Sequence, residues 1–99
     1  MSEAAQTLAT LLSSEVKGDL LTLFHRNPGL VDSLEGVARR IGRTGTVIEL
    51  DVKGLVTLGV LRKKKIGTME VFSLNRAKDR EILEALANQI KTINGAGEV

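Results

Sequence analysis

The chain has 99 residues, of which 42% are hydrophobic and 26% charged, with one histidine, two aromatic residues and no cysteine. This balance is typical of one soluble globular domain. The absence of cysteine excludes disulfides, thiolate metal ligands and cysteine nucleophiles. No apolar run approaches the roughly 20 residues that span a bilayer, and the first 15 residues lack the basic and apolar blocks of a secretory signal. We therefore expect a cytoplasmic protein without membrane contact.

Residues 3–26 have helical periodicity. Their apolar residues form two clusters, which are Leu8, Leu11 and Leu12, then Val16, Leu20, Leu21, Leu23 and Phe24. Ser13 and Ser14 lie between the clusters and can cap a second helix, so the pattern predicts either two helices or one interrupted helix. The only proline, in Asn27-Pro28-Gly29, predicts the turn that follows.

A short helix is predicted over residues 33–41. Asp32-Ser33-Leu34-Glu35 forms a capping box before it. The buried stripe consists of Leu34, Val37, Ala38 and Ile41. A tight turn, Gly42-Arg43-Thr44-Gly45, ends this helix and leads to the next element.

A third helix is expected to start between Thr44 and Val47 and to stop at Gly59, with Thr46-Val47-Ile48-Glu49 as its capping box. Its β-branched residues leave a strand as the competing interpretation. We favour the helix because Ile48, Val52 and Leu55 recur at a spacing of three to four. Gly54 within it predicts a close packing contact.

The remaining elements are a hairpin and a last helix. Strands over residues 60–64 and 69–74 flank the glycine-containing connection 65–68. Asn75 can cap a helix over about 76–93. The chain is thus interpreted as a single domain over residues 1–94, with a core over 13–76, a C-terminal helix over 77–93 and a flexible tail over 95–99.

The charges are unevenly distributed. Between Gly36 and Thr68 there are eight basic and two acidic residues, a formal charge of +6, whereas the remainder has six basic and ten acidic residues, or −4. This asymmetry favours an anionic partner, with nucleic acid first. A run such as Arg62–Lys65 is otherwise explained by a solvated surface or by lysines that protect a sheet edge.

The order of elements resembles the ArsR/MarR-like winged-helix regulators of bacteria and archaea. The resemblance covers residues 13–76. It is carried by four stretches, Ser14–Phe24, Asn27–Gly29, Ser33–Gly42 and the Leu55–Leu61 junction. It implies an α+β winged helix-turn-helix fold, with a three-helix core, a two-stranded β wing and extra N- and C-terminal helical segments. It also implies a transcriptional regulator that binds double-stranded DNA.

The resemblance also implies which residues contact DNA. The second helix and the turn contact phosphates and the third helix reads bases in the major groove, while the wing contacts flanking phosphates or the minor groove. The implied phosphate contacts are Arg39, Arg40, Arg43, Arg62, Lys63, Lys64 and Lys65. The implied residues of the recognition helix are Thr44, Thr46, Glu49, Leu50 and Lys53.

The acidic residues of the third helix depart from this pattern. Glu49 and Asp51 stand where the family commonly has basic or amide residues. Either Asp51 turns away and pairs with an arginine, or this face does not enter a groove. In the second case the domain is a protein–protein assembly module, with Glu49 and Asp51 contacting a basic partner.

Other functions have little support in the sequence. No nucleophile relay, phosphate-binding loop or dinucleotide motif is found, and one histidine without cysteine is too little for a zinc site, so we expect neither an enzyme nor a cofactor. The last helix has a coiled-coil-like seam. Its residues are Leu83, Leu86, Ile90 and Ile93. With Leu8, Leu11 and Leu12, this seam favours a homodimer through the terminal helices over a monomer in which those helices pack on each other.

Overall fold

A computed structural model describes residues 6, 9–11 and 13–97, and their side chains as far as residue 88. Residues 9–11 are helical. We number the elements that follow as α1 (Glu15–Arg26), β1 (Val31–Asp32), α2 (Leu34–Arg40), α3 (Gly45–Thr57), β2 (Leu61–Ile66), β3 (Met69–Leu74) and α4 (Arg76–Gly97).

The break before α1 lies where the sequence predicted it. Ser14 is the N-cap, and its hydroxyl accepts a hydrogen bond from the backbone N–H of Lys17 at 3.2 Å. Of the first apolar cluster, Leu11 is fully buried, whereas Leu8 and Leu12 lie outside the described residues. Two helical segments separated at Ser13–Ser14 are therefore present, which is the two-helix alternative.

The caps of α2 and α3 differ from the prediction. Ser33, not Asp32, is the N-cap of α2, because the Ser33 hydroxyl accepts from the N–H of Gly36 at 3.2 Å. The Asp32 carboxylate instead accepts from the N–H of Ser33 at 2.8 Å. Helix α3 begins at Gly45, within the predicted interval, but Thr44 makes no side-chain cap and Thr46 lies inside the helix. The two predicted capping boxes were wrong in detail, since α2 starts one residue later and α3 starts two residues earlier than those boxes require.

The sheet has three antiparallel strands in the order β1-β3-β2. The predicted hairpin is present, but β2 continues to Ile66, opposite Met69, so the connection is only residues 67–68. Gly67 supplies the positive φ of 64° that this turn requires. The sequence missed β1, in which Val31 pairs with Ser73. A two-residue strand has no periodicity to read, which is why it escaped prediction.

The three helices α1–α3 and the inner face of the sheet enclose one apolar core. The predicted stripe of α3 is buried there, since Ile48, Val52 and Leu55 are each at most 1% exposed. The core residues contributed by the other elements are Leu20, Phe24, Val37, Ala38, Val60, Leu61, Phe72, Leu74 and Ile82. Each of these side chains except Ala38 contributes roughly 1.5–3 kcal/mol by leaving water, so this cluster determines how α3 and the hairpin lie against α1 and α2.

Helix α4 starts where it was predicted but is longer. The Asn75 side chain accepts from the N–H of Lys78 at 3.3 Å, which caps the helix. The helix ends at Gly97, although the sequence predicted an end at 93 and a tail from 95. Ile82 packs into the core, whereas Leu83 and Leu86 of the predicted seam are exposed. None of the helices in the described part of the chain is long and apolar enough to span a bilayer.

Candidate nucleic-acid interface

Helix α3 presents an exposed face to solvent on the side opposite its buried stripe. Thr46, Glu49, Leu50 and Lys53 are all exposed, as the 3.6-residue period predicts. Leu50 is 80% exposed, the most of any large apolar side chain in the described part of the chain. The amino group of Lys53 lies 3.4 Å from the carboxylate of Glu49, one turn earlier. This face is therefore accessible, and its one acidic residue has a basic neighbour.

Asp51 does not belong to this exposed face. Its carboxylate accepts hydrogen bonds from the amino group of Lys17, at 2.8 Å, and from the hydroxyl of Ser14, at 3.2 Å. The side chains of Lys17 and Asp51 are only 20% and 21% exposed. Asp51 thus turns toward α1, as one of the two alternatives required, but its partner is a lysine and not the arginine expected.

Gly54 makes room for this ion pair. A Cβ at Gly54 would stand 3.1 Å from Cε of Lys17, because the lysine side chain crosses α3 at that point. The close contact predicted for Gly54 is therefore present, and its partner is α1. A glycine inside a helix costs about 1 kcal/mol relative to alanine. At this position the glycine also leaves the space that the Lys17 side chain needs to reach Asp51.

Arg43, in the turn between α2 and α3, is engaged within the protein. Its guanidinium donates a hydrogen bond to Asp19 and lies 3.7 Å from the carboxylate of Glu15, both on α1. The hydrogen bond to Asp19 is the main reason that the pKa of Arg43 is raised, against the effect of desolvation. The sequence predicted a phosphate contact for Arg43, and the structure places this side chain against two carboxylates of α1.

Arg39 and Arg40 differ in their surroundings. The guanidinium of Arg40 donates to the Asp32 carboxylate at 3.1 Å. The pKa of Asp32 is lowered, first by the hydrogen bond from the N–H of Ser33 and then, against partial desolvation, by Arg40. Arg39 is exposed and makes no hydrogen bond or close ion pair with a carboxylate among the described residues, although its charge also helps to lower the pKa of Asp32. Of the two arginines, Arg39 is therefore the one whose guanidinium is free to contact a partner.

The basic run of β2 is divided between the two faces of the hairpin. Alternate residues of a strand point to opposite faces, so Lys63 and Lys65 share the side of buried Leu61, and Arg62 and Lys64 lie on the other side. The amino group of Lys63 lies 3.9 Å from the carboxylate of Glu70. The other three basic side chains have no acidic partner within the described part of the chain.

The eight basic residues of the central segment thus form two groups of four. Arg40, Arg43, Lys53 and Lys63 each contact a carboxylate. We call the other four the unpaired basic set, which consists of Arg39, Arg62, Lys64 and Lys65. The set lies on α2 and β2, the two elements that flank α3 in the chain.

The sequence did not reveal the partners on α1 and its N-cap, because these residues are distant in the chain from Asp51 and Arg43. Ser14 and Lys17 are 37 and 34 residues from Asp51, and Asp19 is 24 residues from Arg43. No local pattern pairs residues at such separations. The only available signal was that an acidic residue on the third helix departed from the family pattern.

The candidate metal ligands of this chain are its histidine and carboxylate side chains. Among the described residues, no group of three or more histidine and carboxylate side chains could hold a metal ion. The single histidine, His25, lies 2.9 Å from the Asp79 carboxylate and connects the end of α1 to the start of α4.

Comparison with known proteins gives structural neighbours only. No protein-family model matches the sequence, and no curated protein matches it. The antimony-specific transcriptional repressor AntR is similar over 94% of this chain and 79% of its own, with a TM-score of 0.64 and 19% identity. A homodimeric winged helix-turn-helix DNA-binding domain from Mycobacterium bovis, from a possible ArsR-family regulator, is similar over 93% and 83%, with a TM-score of 0.67 and 13% identity.

A third neighbour comes from the other family of the resemblance. The multiple antibiotic-resistance repressor MarR of Listeria monocytogenes is similar over 97% of this chain and 67% of its own, with a TM-score of 0.59 and 21% identity. These similarities, together with α1–α3 and the hairpin, define the fold as an α+β winged helix-turn-helix. The predicted fold class and the resemblance to ArsR/MarR-like proteins are confirmed, with β1 as a third strand beside the two-stranded wing.

Proposed function

We propose that this chain is a sequence-preferring double-stranded DNA-binding protein that regulates transcription in the cytoplasm, without enzymatic activity. The observation that carries the proposal is the unpaired basic set, exposed on α2 and β2 of a winged helix. Uncompensated cations are the groups that release counterions from DNA when they contact phosphates. In this proposal the set supplies the main phosphate contacts.

The exposed face of α3 supplies the base contacts in this proposal. Thr46 bonds a phosphate or a base edge, Leu50 contacts a thymine methyl group, and Lys53 reaches a phosphate or guanine. Glu49 accepts from the N4 amino group of cytosine. The inward rotation of Asp51 supports this arrangement, because it removes one carboxylate from the face that would approach the phosphates.

The paired basic residues are secondary in this proposal. Lys53 and Lys63 form exposed ion pairs, which are worth only about 0.2–1 kcal/mol, so a phosphate can displace their carboxylates. Arg43 is held between two carboxylates of α1, and its role is to orient the turn before α3. Thr44, next to it, is exposed and offers its hydroxyl to a phosphate.

Salt dependence tests this mechanism. With four phosphates neutralised per chain, log K for a random duplex falls against log[salt] with a slope of about −3.6. The variant Lys64→Gln/Lys65→Gln is expected to reduce this slope to about −1.8. Its matched control is Arg76→Gln/Arg80→Gln, which removes two exposed charges from α4.

The measurement is fluorescence anisotropy of a labelled duplex at several salt concentrations, with thermal melting to show that each variant is folded. The control is expected to keep the parental slope. A flat salt response, or an equal loss of slope in both double variants, contradicts the proposed phosphate contacts.

The chain is also proposed to form a homodimer through its terminal helices. Leu83 and Leu86 are exposed on α4, whereas Ile90 and Ile93 of the predicted seam lie outside the described side chains. Leu11 is buried within the chain and is therefore not part of the proposed interface. The neighbour from Mycobacterium bovis is homodimeric. Such a dimer would present two α3 helices, one for each half-site of a two-fold symmetric DNA site. Sedimentation that gives only the mass of one 10.7 kDa chain at high concentration would refute this part.

A protein–protein assembly module is the second candidate function. The observation that favours it is the apolar part of the α3 face, where Val47 and Leu50 are both more than half exposed. The two functions are distinguished by a mobility-shift experiment with random duplex at low salt. Absence of a shift at micromolar protein favours assembly over DNA binding.

A further inference from the structure

A cleft of about 590 Å³ lies between the start of α2, the outer part of α3 and the wing strands β2 and β3. Its floor is apolar and consists of Leu34, Val52, Val56 and Phe72, which are buried or half-buried. A volume in the range of roughly 300–1,000 Å³ with a mainly apolar lining is typical of sites for small organic molecules. The cleft therefore has the size and the floor of a ligand site.

The charged side chains at the rim determine which ligand fits. They are Glu35, Glu49 and Glu70, opposed by Lys53 and Lys63. Both lysines already have a carboxylate partner, Lys53 with Glu49 and Lys63 with Glu70. Glu35 has no basic partner among the described residues. The rim thus has one carboxylate more than it has cations.

Glu35 is held close to the rest of the site. One of its carboxylate oxygens lies 3.0 Å from the position that a Cβ of Gly45 would occupy, so the glycine lets the carboxylate approach the start of α3. A helix N-terminus supplies only a partial positive charge, about half an elementary charge. The carboxylate therefore keeps net negative charge at the edge of an apolar floor.

We propose that this cleft binds a small organic cation, whose apolar body covers the floor and whose positive charge lies near Glu35. The three carboxylates disfavour an inorganic phosphate or a carboxylate ligand at the same place. None of the unpaired basic set lines the cleft, so the ligand site and the main proposed phosphate contacts are separate groups of residues. The inference does not depend on DNA binding, since it concerns the free protein.

The test compares three probes that share one apolar ring system and differ in charge. They are trimethyl(2-naphthyl)ammonium, neutral 2-naphthylmethanol and anionic 2-naphthoate, titrated into the free full chain by calorimetry. Because its charge is attracted to the Glu35 carboxylate, the cation is expected to bind about tenfold more tightly than the neutral probe, and the anion most weakly. In methyl-resolved NMR spectra the largest shifts are expected at Val52, Val56 and Leu34.

Two variants test whether the Glu35 carboxylate is responsible for the preference for the cationic probe. Glu35→Gln is expected to lower the affinity of the cation about tenfold while leaving that of the neutral probe unchanged. Glu84→Gln, an exposed carboxylate on α4 outside the cleft, is expected to change neither. Thermal melting confirms that both variants are folded.

Three results overturn the inference. They are equal affinity for the three probes, an affinity of the cation that Glu35→Gln does not alter, and shifts confined to methyl groups away from the cleft. No DNA is present in this experiment. Its failure is therefore distinguishable from failure of the proposed function, which the salt dependence of duplex binding tests separately.

Discussion

Asp51→Asn is expected to destabilise the domain by about 2 kcal/mol. The substitution keeps the size of the side chain but removes the charge that faces the amino group of Lys17 at 2.8 Å. Hydrogen bonds to charged groups contribute about 1.5–3 kcal/mol, and breaking a fully buried ion pair costs about 3–5 kcal/mol. Because both side chains keep about a fifth of their surface in water, we use the range for hydrogen bonds to charged groups and not the range for a fully buried ion pair. In a domain of this size the melting temperature should fall by about 10 °C.

A double-mutant cycle isolates the interaction from other effects of each substitution. Asp51→Asn and Lys17→Met are combined, and the free energy of unfolding is measured by urea denaturation followed by circular dichroism. The expected coupling energy is about 1–2 kcal/mol. The control is the pair Glu49 and Lys53 on the same helix, which is 50% and 69% exposed and should give a coupling energy of at most about 0.5 kcal/mol.

The comparison of the two cycles can refute the reasoning. If the coupling energy between Lys17 and Asp51 is no larger than that of the exposed pair, then the attachment of α3 to α1 does not depend on this contact. The inward rotation of Asp51 would then have no energetic importance.

Two further predictions concern the start of α2. Because the folded pKa of Asp32 is lowered, its contribution to stability is present above about pH 4 and lost as the pH falls below that value. Asp32→Asn should therefore lower the free energy of unfolding at pH 7, and in urea denaturation the difference from the parent should shrink as the pH is lowered below about 4. At Gly36, a Cβ would lie 2.2 Å from the Asp32 carboxylate. Gly36→Ala should destabilise by about 1–2 kcal/mol as Asp32 leaves Ser33 and Arg40. Gly18→Ala, where a Cβ meets nothing within 4 Å, should stabilise by up to about 1 kcal/mol; equal effects of the two alanines would contradict this explanation.

The parts of the fold that follow from local periodicity were predictable from the sequence. The buried stripe of α3 and its exposed face follow from the 3.6-residue period, and Gly67 marks the hairpin turn. The break at Ser14 was visible because a capping residue separates two apolar clusters. These features depend on residues a few positions apart, so each can be inferred without knowledge of the tertiary structure.

The parts that depend on distant residues were not predictable in the same way. Arg43 and Arg40 look alike in the sequence, yet the first is held by α1 and the second by Asp32. Whether Arg43 is free for a partner is decided by the packing of α1 beside the turn before α3, and charge counting along the chain cannot show it. The formal charge of the central segment therefore overstates the number of cations available to a partner.

The short strand β1 connects the wing to the helix-turn-helix through the backbone. Val31 and Asp32 pair with Ser73 and Phe72 of the central strand β3, and Asp32 is followed directly by the N-cap of α2. Displacing the hairpin therefore strains two backbone pairs adjacent to the first turn of α2. The relative position of the two elements is consequently preorganised in the free protein, and a partner that contacts both has less conformational entropy to remove on binding.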